Sequence, residues 1–220
     1  MMQVKSFVFS PFAENTYVLY DETNEAVVID PGCLQQDEKE KLAKFIADNR
    51  LVVKYLLQTH CHLDHVFGSA FVKRKYGVKM YIHKGDLPVL AAVETRAPMW
   101  GIQGYEPVEA DEFIEEGDVI YFGNSQLDVI YVPGHAPGHV AFVNHAQKLI
   151  VSGDVLFKGS IGRYDFPLCN YDDLMNSIYT KLLTLDDDYV VYPGHNDPTT
   201  IGQERPDDLR QPALRVCGYR

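Results

Sequence analysis

Four potential metal ligands lie within six consecutive positions of this chain, in the segment Thr59-His60-Cys61-His62-Leu63-Asp64-His65. The segment follows a compact apolar run at residues 52–57, which predicts a buried strand that delivers a polar loop. Neutral imidazoles and a carboxylate suit Zn²⁺ or another borderline divalent metal. A solvated loop with scattered histidines is the alternative, but three of the chain's eight histidines fall here. We therefore predict a metal site directly after a strand.

Three later residues repeat this arrangement. His135, Asp154 and His195 each come one position after a glycine and shortly beyond a predicted strand. The three strands are predicted at residues 127–132, 149–151 and 189–192. A glycine before a ligand lets the backbone approach a crowded centre without a Cβ clash. Strand-end loops that supply polar ligands in a repeated format indicate a metal site at one edge of packed sheets.

The remaining pattern predicts two similar halves, each a sheet covered by helices, and therefore an α+β fold. The first half has predicted strands at residues 4–10, 17–20, 26–29, 52–57 and 78–82, and helices at residues 37–49 and 66–76. The second half has predicted strands at residues 119–122, 127–132, 140–143, 149–151 and 189–192, and a helix at residues 171–183. Asn170 is a good N-cap for that last helix.

Residues 88–111 do not fit this succession of predicted strands and helices. They contain Pro88, Pro98 and Pro107 beside large apolar side chains such as Trp100. A long connection that is rich in helix breakers yet carries apolar side chains is typical of a lid or binding loop. A loop packed on the surface is the alternative.

Composition excludes several classes of protein. The chain has 20 basic and 31 acidic residues, a net charge of −11, which argues against general binding to nucleic acid. It has no apolar run near the ~18 residues of a membrane span, and no apolar signal-peptide core at its start. Its four cysteines, Cys33, Cys61, Cys169 and Cys217, form no CxxC pair. We therefore expect a cytoplasmic protein with reduced thiols that binds neither nucleic acid nor membrane.

The order of the motifs (HxHxDH, then PGH, then GD, then a second PGH) resembles the metallo-β-lactamase fold superfamily. Further segments, at Gly138-His139 and residues 153–157, 162–167 and 199–204, resemble its short glyoxalase II-like hydrolases. The resemblance implies an αββα sandwich of two mixed sheets flanked by helices, with a metal site at one edge. Only 25 residues follow His195, so we expect residues 1–220 to form one domain without the C-terminal helical domain of longer glyoxalase II enzymes.

Carried over position by position, the resemblance implies two divalent metal ions, with zinc expected first and iron or manganese as alternatives. The first ion would be bound by His60, His62 and His135, the second by Asp64, His65 and His195, and both by a bridging Asp154. Asp64 and Asp154 are also the predicted catalytic residues. Asp30 is predicted to orient a ligating histidine, because such a histidine needs a hydrogen-bond partner for its other nitrogen. A plain turn aspartate is the alternative for Asp30.

Two adjacent cations lower the pKa of a shared water toward ~7, which supplies hydroxide for attack on a carbonyl. With Asp64 and Asp154 as ligands, the site keeps a positive charge that can attract an anionic substrate. A thiolate leaves without protonation, whereas an amide nitrogen must be protonated. The absence of a separate candidate acid therefore favours a thioester, ester or lactone.

Arg163 is predicted either to pair with a substrate carboxylate or to form a salt bridge with Asp165. Further substrate-binding candidates are Lys158, Tyr164 and Trp100.

Three functions follow from these predictions. The leading one is a dinuclear metal hydrolase of small-molecule thioesters such as S-lactoylglutathione. The second is a persulfide dioxygenase-like enzyme with one iron on His60, His135 and Asp154, a two-histidine-one-carboxylate set. The third is a metal-binding module without catalysis. A β-lactamase is disfavoured by the missing export signal, and a nuclease by the acidic surface.

Overall fold

The first half of the chain forms a mixed six-stranded sheet in a computed structural model, which describes residues 1–205 and the backbone of residues 215–216. Its strands are β1 (Gln3–Phe9), β2 (Glu14–Tyr20), β3 (Glu25–Ile29), β4 (Val52–Leu57), β5 (Met80–Ile82) and β6 (Glu112–Phe113). The first three strands pair antiparallel, and β3 to β6 pair parallel. The helices of this half are α1 (Gln36–Asp48), α2 (Leu63–Val66), α3 (Ser69–Tyr76) and α4 (Leu87–Arg96).

The second half forms another mixed six-stranded sheet, in the order β14-β13-β10-β9-β8-β7. Its strands are β7 (Val119–Phe122), β8 (Ser125–Tyr131), β9 (Val140–Asn144), β10 (Leu149–Gly153), β13 (Val190–Pro193) and β14 (Thr199–Thr200). Only β10 and β13 pair parallel. A small third sheet contains β11 (Leu156–Phe157), β12 (Ser160–Ile161) and β15 (Arg215–Val216). The helices are α5 (Tyr171–Ser177) and α6 (Ile201–Glu204).

Apolar side chains form three main layers. The middle layer joins the two sheets, through side chains such as Leu19 and Phe142. The outer layers lie between each sheet and its helices, with Leu42 of α1 in one and Leu174 of α5 in the other. Burying a side chain of this size stabilises the fold by about 1.5–3 kcal/mol. The layers follow the order helix, sheet, sheet, helix, which confirms the predicted α+β sandwich.

The predicted helix at residues 66–76 is wrong in one respect, because two helices occupy this stretch. The break falls at Gly68, whose backbone N–H donates to Pro31 O at 2.6 Å. A Cβ at Gly68 would lie only 2.3 Å from Cys33 Sγ. The chain therefore bends here because it packs directly against the loop after β3.

The helix predicted at residues 171–183 is also divided. Its α-helical part ends at Ser177, and the chain continues as a π-helical turn, Ile178–Leu182.

The interpretation of residues 88–111 as a loop is also wrong for its first part. Residues Leu87–Arg96 form α4, and Ala97–Trp100 form a 3-10 turn that continues from it. Pro88 and Pro98 each lie at the start of their helical segment. Proline is tolerated there because the first N–H groups of a helix have no intrahelical acceptor. These prolines therefore begin helical structure instead of breaking it.

The thiols of Cys33 and Cys61 are free and buried, and that of Cys169 is free and half-buried. Cys217 lies outside the described residues. None of the helices in the described part of the chain combines the length and the apolar character that crossing a membrane requires.

Candidate metal centre

Four loops at one edge of the sandwich carry the candidate ligands, and each loop follows the carboxyl end of a strand. β4 leads to His60, β8 to His135, β10 to Asp154 and β13 to His195. The two sheets are joined at this edge, since the first residue of β9 donates its backbone N–H to the loop after β4 at 2.8 Å. The strands of both sheets thus bring distant parts of the sequence to one place.

Three groups of three side chains bring their donor atoms together among the described residues, and in one of them, Asp30, His60 and His65, the aspartate is hydrogen-bonded to His65. The other two groups are the trios of the candidate site. The first trio is His60, His62 and His135, and the second trio is Asp64, His65 and His195. Within each trio the donor atoms lie within 4.8 Å of one another. This close grouping is what a shared ion requires. The trios are the same two sets that the resemblance implied.

Asp154 lies between the trios. Its Oδ1 is 3.4 Å from His65 Nε2, and its Oδ2 is 3.4 Å from His195 Nε2. The same Oδ2 is 3.5 Å from His135 Nε2 in the first trio. One carboxylate therefore faces both trios, which is the position that a bridging ligand needs.

Three buried atoms of the site make no hydrogen bond of good geometry within the described residues: His60 Nε2, His65 Nε2 and Asp154 Oδ1. Buried polar atoms in folded proteins nearly always have a partner. A divalent cation would supply one, because imidazole nitrogens and carboxylate oxygens are ordinary ligands of zinc, iron and manganese. The residues present therefore fit divalent metal ions.

The ionisation states of the site residues also bear on metal binding. Burial lowers the pKa of His62 to about 3, so this imidazole is neutral near pH 7. Burial also lowers the pKa of His195, but the nearby carboxylates of Asp154 and Asp64 have the larger effect and raise it to about 10. Burial opposes ionisation of Asp154, yet the nearby His195 and His65 hold its pKa well below the usual range. The carboxylates are therefore ionised and His62 is neutral, as metal binding requires, whereas His195 would release a proton when a metal ion binds.

Asp30 orients two of the trio histidines. It follows β3 in a left-handed conformation with φ of 48°, which aspartate tolerates better than most residues. His65 Nδ1 donates to Asp30 Oδ2 at 3.0 Å. His60 Nδ1 donates to Thr59 Oγ1 at 3.1 Å, and that hydroxyl donates to Asp30 Oδ2 in turn. The two Nδ1 atoms are thereby occupied, so each ring presents Nε2 to the site.

Replacing Asp30 by asparagine is expected to lower metal affinity about 10- to 100-fold, because such partners of ligating histidines hold the ring and raise its basicity. The measurement is a competitive metal titration against a chelating dye. Asp21→Asn is the matched control, since Asp21 is a buried carboxylate that accepts hydrogen bonds from Thr23 and Ser125 instead of from a trio histidine. Equal affinities for Asp30→Asn and wild type would show that Asp30 is an ordinary turn aspartate.

Two other side chains of the site are held by neighbours. His135 Nδ1 donates to the backbone oxygen of Arg163 at 2.7 Å, which leaves Nε2 for the site. His139 Nε2 accepts the backbone N–H of Asp154 at 3.0 Å, and its ring stacks on His60 at 4.6 Å between centroids. His139 therefore holds the backbone of Asp154 in place from behind the trios.

The expectation that glycines permit close approach is confirmed at Gly194. A Cβ on this residue would lie 2.1 Å from Asp154 Oδ1 and 2.7 Å from His65 Cε1. The loop after β13 can therefore approach the site only with glycine at this position.

A pocket opens above the trios. Its floor includes His62, Asp64, His135, Asp154 and His195. Its other lining side chains are mostly large and apolar, with two arginines among them: Phe12, Leu63, Arg96, Trp100, Phe157, Arg163 and Phe166. Trp100, about half exposed, packs edge-on against Phe12 with ring centroids 6.1 Å apart. The pocket thus combines an apolar wall with positive charge beside the candidate metal ligands.

The predicted substrate-binding residues divide into two groups. Trp100 and Arg163 line the pocket, whereas Lys158 and Tyr164 do not. Lys158 is exposed, and Tyr164 packs against Tyr171 on the outer side of the second sheet. For Arg163, the structure shows the alternative that predicted a salt bridge with Asp165.

The sequence profile of the metallo-beta-lactamase superfamily matches residues 10–195, which include both trios and Asp154. The chain belongs to this superfamily. Hydroxyacylglutathione hydrolase GloC of Haemophilus influenzae is 36% identical to it over 206 residues, which are 93% of this chain and 95% of GloC.

Two solved structures resemble this superfamily member along nearly its whole length. BLEG-1, a B3 metallo-beta-lactamase, has a TM-score of 0.85 and 30% identity, and the match covers 95% of this chain and 100% of BLEG-1. TTHA1623, solved in a di-iron-bound form, has a TM-score of 0.81 and 35% identity, and the match covers 91% of this chain and 96% of TTHA1623. A closely similar fold therefore holds a pair of metal ions in another protein.

Three ionisable residues that lie at or beside the candidate site were missed by the sequence analysis. Asp86 accepts the backbone N–H groups of Cys61 and Gly138, both at 2.6 Å, and so joins the loops that carry the first trio. Glu14 is fully buried behind the second trio and pairs through its backbone with His195. Arg96 lines the pocket. Its position at the end of α4 conceals it, because Pro88 and the other prolines of this stretch predict a loop.

Proposed function

We propose that this protein hydrolyses small-molecule thioesters of the S-lactoylglutathione type, with two divalent ions, zinc first among them, and that it does so in the cytoplasm as one domain. The observation that carries the proposal is the position of Asp154 between two complete trios. A site for a single ion needs only one trio, whereas seven side chains converge here. The similarity to GloC supports the reaction class.

Bound divalent ions would lower the pKa of a coordinated water toward ~7 and polarise a substrate carbonyl. The first trio and the second trio would hold one ion each, and Asp154 would hold both. Asp64 lines the pocket, and its Oδ2 lies 3.2 Å from His195 Nε2, so this carboxylate can accept a proton released at the site. The apolar side chains of Phe12, Phe157 and Phe166 exclude water from the substrate around this point.

The leaving group favours a thioester. Apart from the trio histidines, the ionisable residues among those lining the pocket are Asp64, Asp154, Arg96 and Arg163. Nearby histidines lower the pKa of both aspartates against the effect of burial, and arginine stays protonated, so none of the four is an acid near pH 7. A thiolate of pKa ~8.5 leaves without such an acid, whereas an amine does not.

The test combines metal analysis with an activity panel. Purified protein is expected to contain close to two metal ions per chain and to release thiol from S-lactoylglutathione, followed with a thiol-reactive dye. Protein stripped with a chelator is expected to regain turnover in proportion to the second equivalent of metal. Metal-replete protein that leaves every thioester of the panel intact would contradict the proposal.

Two further substrates belong in the panel. A chromogenic β-lactam tests for the β-lactamase class to which BLEG-1 is assigned. Glutathione persulfide, with oxygen consumption as the readout, tests the dioxygenase alternative. One iron per chain together with oxygen consumption would replace the hydrolase proposal by the dioxygenase, and β-lactam turnover without thioester turnover would replace it by an amide hydrolase.

A further inference from the structure

Arg96 stands at the C-terminal end of α4, four residues before Trp100, and both side chains line the pocket above the trios. The side chain of Arg96 is half-buried, beside the aromatic wall of the pocket. The 3-10 turn that follows is anchored by Ala97, which is buried against Phe67 and Ile102. Arg96 is therefore held at the rim of the pocket by packed structure.

The two arginines of the pocket differ in their partners. Arg163 makes a bidentate pair with Asp165, with Nε to Oδ1 at 2.8 Å and Nη2 to Oδ2 at 2.7 Å, and its guanidinium stacks on Phe166 at 4.0 Å. Arg96 forms no ion pair and no hydrogen bond with any of residues 1–205. Its guanidinium keeps all five N–H donors for a ligand.

We propose that Arg96 binds a carboxylate in the thiol half of the substrate. The proposal rests on the thioesterase function proposed above and names the specificity residue of the same pocket. The reacting carbonyl has to lie beside the trios, and Arg96 is not among them, so a group on Arg96 must extend away from that carbonyl. In a thioester of the S-lactoylglutathione type the acyl half carries a hydroxyl and the thiol half carries the carboxylates, so a carboxylate on Arg96 belongs to the thiol half. Guanidinium and carboxylate form a planar, two-hydrogen-bond pair, and the aromatic wall lowers the competition from water. Arg163 already forms such a two-hydrogen-bond pair with Asp165.

The chain provides its own probe for this inference, because Trp100 is its only tryptophan. A ligand that enters the pocket beside Arg96 should change the fluorescence of Trp100. The ligands are S-methylglutathione, a thioether that cannot be hydrolysed, and its diamide, in which both carboxylates are neutral. The titration uses metal-loaded protein, so any contact of the sulfur with metal is common to both ligands.

Arg96→Gln is expected to weaken the binding of S-methylglutathione about 10- to 100-fold, since a charge-assisted hydrogen bond is lost, and to leave the binding of the diamide unchanged. Arg163→Gln is expected to change the affinity for S-methylglutathione less than threefold. Arg74→Gln, on the surface and paired with Glu106, is the control for a change of charge outside the pocket. Arg96→Lys is expected to restore only part of the affinity, because lysine keeps the charge without the planar fork.

The inference would be overturned by equal affinity of wild type for the two ligands, or by a loss of affinity in Arg163→Gln in place of Arg96→Gln. An equal loss for both ligands in Arg96→Gln would also overturn it, by showing a structural role. Binding is measured without turnover, so the inference and the proposed function fail separately. Charge-selective binding in a protein that hydrolyses no thioester would contradict only the function.

Discussion

Asp154→Ala is expected to reduce thioester turnover about 1000-fold, a loss of the size seen when a group that stabilises a transition state is removed. The reason is the contact of this carboxylate with both trios, at 3.4 to 3.5 Å from His65, His135 and His195. Without it, two bound ions would have no shared anionic ligand and would repel each other at close range. Metal content is therefore expected to fall from two ions per chain toward one. Turnover assays and elemental analysis on the same preparation measure both effects.

The matched control is Asp186→Ala, because Asp186 is an exposed aspartate that pairs with Lys148. Surface ion pairs contribute about 0–1 kcal/mol, so this variant is expected to match wild type in both measurements. An Asp154→Ala protein that keeps two ions and more than a tenth of the turnover would show that Asp154 does not bridge the ions.

Gly134→Ala is expected to destabilise the fold by more than about 3 kcal/mol, in the range of backbone strain combined with a core clash. Gly134 has φ of 133°, a region that residues with a Cβ rarely adopt. An added Cβ would lie 2.2 Å from Leu174 N and 2.3 Å from Leu174 Cα, and these backbone atoms cannot move aside. The same glycine accepts the backbone N–H of Asn170 at 2.7 Å, so the clash would displace α5 and the loop that carries His135.

Unfolding in urea measures this loss, with Gly159→Ala as the control. Gly159 also has a positive φ, of 70°, but a Cβ there would meet nothing within 4 Å. Alanine at such a position costs about 1 kcal/mol through backbone strain alone. Equal midpoints for the two variants would show that the approach of Gly134 to Leu174 is not what requires glycine.

The candidate ligands could be predicted from the sequence because each belongs to a short local pattern. Six of the seven positions lie in HxHxDH or directly after a Pro-Gly pair, and Asp154 follows a glycine at a strand end. Strands place such residues at one edge by topology, so no knowledge of side-chain contacts is needed. For Asp30 the sequence left two alternatives, an orienting residue and a plain turn aspartate, and the hydrogen bond to His65 in the structure favours the first.

The residues that sequence reasoning missed depend on contacts over long separations. Asp86 lies 25 positions from Cys61 and 52 from Gly138, and no local pattern marks an aspartate that joins two such loops. Arg96 is hidden by the prolines before and after it, which predict a loop. The assignment of substrate binding to Lys158 and Tyr164 came from proximity in sequence to Arg163, and the outer packing of Tyr164 shows that neighbours along a chain can face opposite sides.

Each trio takes two ligands from the first half of the chain and one from the second. Each ion would therefore cross-link the two halves, and its loss would let the sheets separate more easily. An ion present at 1000 times its dissociation constant adds about 4 kcal/mol to the stability of the form that binds it. Proteases that attack transiently opened chains would then remove the metal-starved enzyme first. Scarcity of metal would in this way reduce the lifetime of the protein as well as its catalytic rate.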